Sequence, residues 1–172
     1  MPTNIELKAK VDDLQIIREK LSDYRKKILR QKDTFINFSP KGRLKIRCIN
    51  NKKCQLIYYE RDESSEIMSS KFNIYTYCNK VKSRTALKNF RRNYGVICVI
   101  NKQREYYRDG SVRIHLDYIE KLGSFVEIEV VVSEKLSESD AYKLAQEYFF
   151  NKLNIPNDNV IHKSYVDILL NK

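Results

Sequence analysis

The chain has 172 residues, of which 33 are Lys or Arg and 22 are Asp or Glu, so its formal net charge is +11. This positive excess predicts an anionic partner, for which nucleic acid, a membrane surface and a small polyanion are the candidates. The length predicts one domain over residues 1–172. A polar N-terminus without a signal peptide and apolar runs too short to cross a bilayer favour a cytoplasmic protein that makes no membrane contact.

The cysteine and histidine pattern argues against a zinc protein. The four cysteines are Cys48, Cys54, Cys78 and Cys98, no two of which form a CxxC pair, and the chain has only two His. A structural zinc site is therefore not expected. Because cytosolic proteins keep their thiols reduced, we expect free cysteines.

Periodic side-chain patterns predict the secondary structure from the N-terminus onwards. Polar and apolar residues alternate over residues 4–11, which predicts a first strand. Leu14, Ile17 and Leu21 then recur at helical spacing and predict a helix over residues 13–29. Further strands are predicted at residues 34–38, 43–48, 55–61, 71–77, 96–107, 111–118 and 125–132. Helices are predicted at residues 83–94 and 138–153, and a short helix or turn at residues 164–170. These elements indicate an α+β protein whose antiparallel sheet curls or closes.

Charged residues share one face of most predicted strands. Residues two apart on a strand point to the same side, and the opposite side is largely apolar, as with Leu44 and Ile46. The charged sets are Glu6, Lys8 and Lys10; Arg43, Lys45 and Arg47; Lys102 and Arg104; Arg113, His115 and Asp117; and Glu127 and Glu129. Since antiparallel sheets commonly have one wet face, each strand taken alone fits an outward-facing charged surface.

The set as a whole favours a charged surface that faces inward. Nearly all of its polar residues are ionised, and the amphipathic helices require an apolar sheet face to cover. Helices outside a curled sheet would place the charges in its interior. Buried charges are costly unless water or counter-charges accompany them, and phosphates together with a divalent metal ion would supply counter-charges of both signs.

The residue types divide this predicted site into two parts. Arg and Lys bind phosphate oxygens, whereas Mg2+ or Mn2+ takes carboxylates together with substrate oxygens and water. Glu127 and Glu129 point to one spot from a single strand, and Glu6 is the natural third ligand. The residues therefore predict a metal ion beside a chain of phosphates.

The order of the motifs resembles the CYTH superfamily, or triphosphate tunnel metalloenzymes, which includes class IV adenylyl cyclases, thiamine triphosphatases and inorganic triphosphatases. The family's first strand carries Glu-x-Glu-x-Lys, and the matching stretch here is Asn4-Ile5-Glu6-Leu7-Lys8. The class IV cyclase branch is most similar to the second half, which runs Val112-Arg113-Ile114-His115-Leu116-Asp117, then Leu122-Gly123, then Phe125-Val126-Glu127-Ile128-Glu129. Matches at residues 33–35, 42–47, 58–61, 102–104 and 164–167 extend the resemblance over almost the whole chain.

The resemblance implies an eight-stranded antiparallel barrel, a triphosphate tunnel, with helices packed outside it. It implies Glu6, Glu127 and Glu129 as metal ligands, with Asp117 as a further metal-binding and catalytic carboxylate. Lys8 is the second catalytic candidate, as a proton acceptor. The strand faces and the resemblance together assign substrate binding to Lys8, Lys10, Arg43, Lys45, Arg47, Arg61, Lys102, Arg104, Arg113 and His115. Of these, Arg61 rests mainly on the resemblance.

The role of His115 and the effect of Asn4 do not follow from the resemblance alone. His115 is either a general base or a hydrogen-bonding spacer in the tunnel wall, and the surrounding cations favour the spacer because they depress the proton affinity of an imidazole. Position 4 departs from the family motif, since Asn4 stands where the first glutamate is expected. An Asn side chain offers a neutral oxygen and no charge, which predicts weaker metal binding.

Four functions follow from these patterns. The leading hypothesis is metal-dependent hydrolysis of a nucleoside, thiamine or inorganic triphosphate. The alternatives are a class IV cyclase that converts ATP to cyclic AMP and pyrophosphate, and a protein that binds a triphosphate without efficient turnover because of Asn4. A nucleic-acid binder is disfavoured, because the cations alternate along strands instead of clustering in a tail or stripe. We expect a small-molecule triphosphate as the partner, no nucleic acid, and a monomer or homodimer.

Overall fold

The computed structural model describes residues 3–38, 41–61, 68–77 and 79–171, with the side chains of all of these except Arg61 and Met68. Eight strands are described, numbered in chain order: β1 (Thr3–Val11), β2 (Lys27–Ile36), β3 (Arg43–Ile49), β4 (Lys53–Arg61), β5 (Met68–Thr76), β6 (Val96–Asp109), β7 (Val112–Ile119) and β8 (Gly123–Val131). They close into an antiparallel barrel in the order β1-β5-β4-β3-β2-β6-β7-β8, with β8 paired to β1. The predicted eight-stranded antiparallel barrel is confirmed.

Helices lie between and after the strands. They are α1 (Gln15–Lys20), α2 (Lys80–Tyr94), α3 (Glu138–Gln146) with its π-helical continuation (Glu147–Lys152), a 3-10 turn (Asn157–Asn159) and α4 (Tyr165–Leu169). The N-terminus of α3 is capped, because the Ser137 side chain accepts a hydrogen bond from the Asp140 backbone N–H. Along the described part of the chain, no helix combines the length and the apolar character that a membrane span requires.

The first helix is much shorter than its sequence pattern predicts. We expect a helix over residues 13–29, but α1 ends at Lys20 and β2 begins at Lys27. Residues from Lys27 onwards pair with β6, beginning with Lys27 opposite Tyr106. The long β6 strand supplies hydrogen-bond partners for the whole of β2, and this tertiary pairing outweighs the local helical spacing of the apolar residues.

The main apolar core lies between the outer face of the barrel and the helices. It joins the outward-facing side chains of β1, β7 and β8 to α1, α3 and the π-helix. Its buried members include Ile5, Leu7, Ile114, Ile128 and Phe149. Because the apolar faces of these strands are covered by helices, their charged faces point into the barrel, as the strand patterning predicts.

A second apolar cluster lies on the inner side of the barrel. It consists of Phe35, Ile100, Ile119 and Phe125 from four strands, with Val166 from α4. The α4 helix begins with a capping box at Ser164, which fixes its direction. This cluster brings Val166 and its neighbour Tyr165 to the charged interior.

The expectation of free cysteines is wrong for one pair. Cys48 on β3 and Cys54 on β4 lie directly opposite each other and form a disulfide. Pairing across a hairpin brings the two β-carbons close together, a contact that the sequence spacing alone does not reveal. Cys98 is free, and Cys78 lies outside the described residues.

Candidate active site

The barrel interior contains a charged cavity. Its lining includes acidic and basic residues from β1, β2, β3, β6 and β8, together with Ser164, Tyr165 and Val166 at the start of α4. The charged lining residues are Glu6, Lys8, Asp33, Lys45, Arg47, Lys102, Arg104, Glu127 and Glu129. The inward-facing charge predicted from strand alternation therefore forms one continuous surface.

Strand register explains how the carboxylates meet. On the β1–β8 pair, Glu6 lies opposite Glu129 and Lys8 lies opposite Glu127. On the β7–β8 pair, Arg113 lies opposite Glu129 and His115 lies opposite Glu127. Directly opposite side chains on one face of a sheet come within contact distance, so each glutamate on β8 has one neighbour on either side.

Glu127 is the more buried of the two β8 glutamates and the more heavily paired. It accepts a hydrogen bond from Arg104 at 3.0 Å, and its oxygens lie 2.9 Å from the His115 Nδ1 and 3.7 Å from the Lys8 Nζ. Burial alone would raise the pKa of Glu127, but Arg104, His115 and Lys8 outweigh it and hold that pKa well below its usual value. Glu127 is therefore an ionised carboxylate in the cavity wall.

Glu129 lies one layer further along the barrel. Its Oε1 accepts hydrogen bonds from Arg113 at 2.7 Å and from the Asn4 side-chain amide at 2.5 Å. Glu6 lines the same end of the cavity and accepts a hydrogen bond from Ser70 at 3.2 Å. The three glutamates predicted as metal ligands thus share one end of the tunnel.

Across the cavity, Asp33 organises two of the predicted phosphate-binding residues. It receives two hydrogen bonds from Arg47, at 2.7 and 2.8 Å, and lies 3.1 Å from the Lys45 Nζ. Burial would raise the pKa of Asp33, but Arg47 and Lys45 lower it overall. Burial and the nearby Arg47 charge lower the pKa of Lys45 to about 7, although Asp33 opposes them. This wall therefore carries more cationic groups than its one carboxylate neutralises.

Asp117 is enclosed behind two more cations of the wall. It is fully buried, and it accepts hydrogen bonds from Arg104 at 2.7 and 2.6 Å, from Lys102 at 2.9 Å and from the Tyr165 hydroxyl at 3.0 Å. Burial would raise the pKa of Asp117, but Arg104 and Lys102 lower it overall. The contacts give Asp117 the position of an anchor for Arg104 and Lys102, and its catalytic and metal-binding roles stay predictions.

The remaining predicted substrate-binding residues lie at different distances from the cavity. Lys10 is exposed near the end of β1. Arg43 binds Asp167 at 2.7 Å and also donates to Ser164, which ties β3 to the start of α4. Arg113 is engaged with Glu129 at the cavity edge. Arg61 lies outside the side chains that the structure describes.

Three residues of the site were missed by strand patterning. Asp33 lies just before the predicted strand at residues 34–38, although it shares a face with Phe35 and so fits the same alternation. Tyr165 contacts Lys8 and Lys102 through its ring, at 4.4 and 5.0 Å from their Nζ atoms to the ring centre. No local pattern indicates that this C-terminal helix returns to the tunnel. The polar stretch over residues 62–70 predicts a loop that includes Ser70, but β5 begins at Met68, so the prediction is wrong at this end.

The donor atoms at the glutamate end suit a divalent metal ion. Atoms of His115, Glu127 and Glu129 lie within 4.8 Å of one another. The Asn4 Oδ1 is buried and has no hydrogen-bond partner among the described residues. Carboxylate and amide oxygens are ligands of Mg2+ and Mn2+, so the residues present fit the group that the resemblance implies.

A closed antiparallel barrel with carboxylates and cations on its inner wall has the architecture of a triphosphate tunnel. The chain matches the family model of the CYTH domain over residues 2–165. It therefore belongs to the CYTH family.

Named relatives and solved structures have similar lengths. The Methanocaldococcus jannaschii protein named "Putative adenylate cyclase MJ0240" is 25% identical over 175 residues, covering 95% of this chain and 97% of that protein. The PH1012 protein of Pyrococcus horikoshii superposes with a TM-score of 0.80 at 24% identity, covering 95% and 98% of the two chains. A Vibrio parahaemolyticus structure described as a "putative adenylate cyclase" gives 0.75 at 17%, covering 97% of each chain. At these identities the two structures support the fold alone.

Proposed function

We propose that this protein is a metal-dependent phosphohydrolase that acts on a small triphosphate bound inside the barrel. The observation that carries the proposal is that one cavity contains both a cationic and an anionic surface. Lys45, Arg47, Lys102 and Arg104 line it together with Glu6, Glu127 and Glu129. A triphosphate with a divalent metal ion carries the charges that complement both surfaces.

The basic wall would bind and align the phosphates. Arg47 and Arg104 are each held by a buried carboxylate, Asp33 and Asp117 respectively. Guanidinium groups fixed in this way need little reorganisation when charge develops on a transferring phosphate. Lys45 and Lys102 add point charges beside them.

Glu6, Glu127 and Glu129 would hold the metal ion. A bound Mg2+ or Mn2+ would stabilise negative charge on the reacting phosphate and on the leaving oxygen. Within the chain, Arg104 and Arg113 orient Glu127 and Glu129 through hydrogen bonds. Lys8 is 1% exposed and lies beside Glu127. We propose it as the acceptor of a proton from the attacking water or hydroxyl, a role that it would perform as the neutral amine after losing its own proton.

Product analysis tests the reaction. Wild-type protein is incubated with ATP, tripolyphosphate or thiamine triphosphate, each with Mg2+ or Mn2+, and the products are separated by chromatography. We expect release of inorganic phosphate, with the rate falling at least a hundredfold in Glu127→Gln and Glu129→Gln, on the order of the loss for an essential charge-stabilising group. Undiminished turnover in both variants would exclude the metal assignment.

Cyclisation of ATP is the second candidate. Its support is the naming of two similar proteins, from Methanocaldococcus jannaschii and Vibrio parahaemolyticus, as putative adenylate cyclases. In this reaction the ribose 3′-hydroxyl attacks the α-phosphate and pyrophosphate leaves. The same chromatogram distinguishes the two activities, because cyclic AMP with equimolar pyrophosphate would replace the hydrolase proposal by the cyclase one. Tight triphosphate binding without turnover under either metal would favour a binding protein, in line with Asn4.

A further inference from the structure

His115 is the one nitrogen donor of the donor group described above. It lies on β7 directly opposite Glu127, is 2% exposed, and its Nε2 lies 3.9 Å from the Glu129 Oε2. The Tyr106 ring stacks on the imidazole with ring centres 5.6 Å apart and planes 30° apart. The imidazole is therefore held in place between the two β8 glutamates.

Asn4 supplies a second observation beside Glu129. Its Nδ2 donates to Glu129, while its Oδ1 is buried without a hydrogen-bond partner among the described residues. The residue as a whole is 6% exposed. A buried carbonyl oxygen without a partner costs free energy, and a cation beside Glu129 would satisfy it.

We propose that His115 is a metal ligand together with Glu127 and Glu129, and that the site consequently prefers a first-row transition-metal ion such as Mn2+ to Mg2+. The inference rests on the proposed function in that it concerns the same metal site. It adds a nitrogen ligand to a site in which Asn4 stands in place of the first-strand glutamate. Imidazole binds transition-metal ions much better than it binds Mg2+, which strongly prefers oxygen.

The separations within this group are close to those of a metal centre. With metal–ligand bonds of about 2.1 Å, two ligands on opposite sides of one ion lie about 4.2 Å apart. The donor atoms of His115, Glu127 and Glu129 all lie within 4.8 Å of one another. Small side-chain rotations would therefore bring them onto one ion, without movement of the strands that carry them.

The competing explanation is that His115 only orients Glu127. The His115 Nδ1 lies 2.9 Å from Glu127, and such a hydrogen bond can orient a metal-binding carboxylate without the imidazole touching the ion. The two explanations differ in whether the ion acquires a nitrogen neighbour, which is a spectroscopic property and requires no turnover.

Pulsed electron paramagnetic resonance of bound Mn2+ separates them. Protein without a histidine tag and without triphosphate is loaded with Mn2+, and the modulation from directly coordinated 14N is recorded. The chain has two His, and the second, His162, is exposed, so His162→Gln is a matched control for His115→Gln. We expect the 14N modulation in wild type and in His162→Gln, and its loss in His115→Gln.

Metal titrations give the second readout. We expect His115→Gln to weaken Mn2+ binding at least tenfold while changing Mg2+ binding less than threefold. His162→Gln should change neither affinity. Losses of metal affinity of about 10–100-fold are typical even for residues that only support a ligand. Thermal melting checks that His115→Gln is folded, and the wild-type spectrum decides the question even if it is not. Absence of 14N modulation in wild type, or its retention in His115→Gln, would overturn the inference.

The outcome is separable from that of the proposed function. Mn2+ bound through His115 in a protein that hydrolyses no triphosphate would support the inference and contradict the proposed hydrolase function. Hydrolysis in a protein whose Mn2+ has only oxygen neighbours would do the reverse.

Discussion

Lys45 shows at the residue scale how the tunnel prepares for an anion. Burial and the nearby Arg47 guanidinium both lower the pKa of its ammonium group, and the Asp33 carboxylate offsets them only in part. The pKa of Lys102 is lowered to about 8, first by burial and then by Arg104. A triphosphate would reverse the balance, because it adds negative charge beside both amines.

This arrangement predicts proton uptake on binding. At pH 8 the free protein holds Lys45, with a pKa of about 7, mainly as the neutral amine, and bound triphosphate raises the pKa and protonates it. Calorimetry in buffers of different ionisation enthalpy should show uptake of about one proton at pH 8 and less at pH 6, where both lysines are already charged. Affinity should fall as the pH rises from 7 to 9. In Lys45→Met the uptake at pH 8 should be smaller, and equal uptake in the variant would contradict this account.

Replacing Asn4 by Glu should lower the stability of the metal-free protein and strengthen metal binding. Asn4→Glu replaces a hydrogen-bond donor to Glu129 by a second carboxylate. In EDTA we expect a melting temperature about 3–8 °C lower, which corresponds to about 1–3 kcal/mol for a like-charge contact in a chain of this size. Mn2+ should raise the melting temperature of Asn4→Glu more than that of wild type, because the extra carboxylate binds the ion.

The control for Asn4→Glu is Asn73→Glu, which makes the same charge change at an exposed position of β5. It should leave both the melting temperature in EDTA and the Mn2+ response close to wild type. A Mn2+ response of Asn4→Glu no larger than that of wild type would show that position 4 does not contribute to the metal site.

At the element scale, the β3–β4 hairpin is stabilised by its disulfide. Cys48 and Cys54 are separated by 6 positions in sequence, and closing so short a loop is worth about 2 kcal/mol in the chain-entropy model. Dithiothreitol should therefore lower the free energy of unfolding measured in urea by about that amount. The Cys48→Ser/Cys54→Ser variant should be insensitive to the reductant. A wild-type midpoint that dithiothreitol leaves unchanged would contradict a stabilising disulfide.

The elements also show where sequence patterns suffice and where they do not. Alternation located β1, β3, β7 and β8 and their charged faces, because one face of each strand is apolar and buried and the other is charged. The pattern failed between α1 and β2, where residues from Lys27 onwards form a strand paired with β6 although the apolar residues have helical spacing. It also missed Asp33 and Tyr165, since their roles depend on partners distant in sequence, Arg47 on the neighbouring strand β3 and Asp117 on β7.

At the scale of the whole molecule, two places carry groups of the Lys and Arg residues that contribute to the formal charge of +11. One part of these cations lines the tunnel, where carboxylates offset their charge and Asp33 and Asp117 hold them in position. Another part covers α2, which has no acidic residue and whose basic side chains are exposed: Lys80, Lys82, Arg84, Lys88, Arg91 and Arg92. Net charge alone therefore does not locate the anion site, and the placement of the charges has to be tested directly.

The central claim is that the triphosphate binds inside the barrel, and the most direct test compares one cation from each place. The dissociation constant of tripolyphosphate with Mg2+ is measured by calorimetry at pH 6.5 for wild type, Lys45→Met in the tunnel and Lys88→Met on α2; the two variants lose the same charge. We expect about tenfold to hundredfold weaker binding for Lys45→Met, the usual worth of a charged hydrogen bond, and a change of less than about twofold for Lys88→Met, whose interaction is screened by solvent and salt. Equal weakening in both variants, or a loss confined to Lys88→Met, would place the anion outside the barrel and contradict the account.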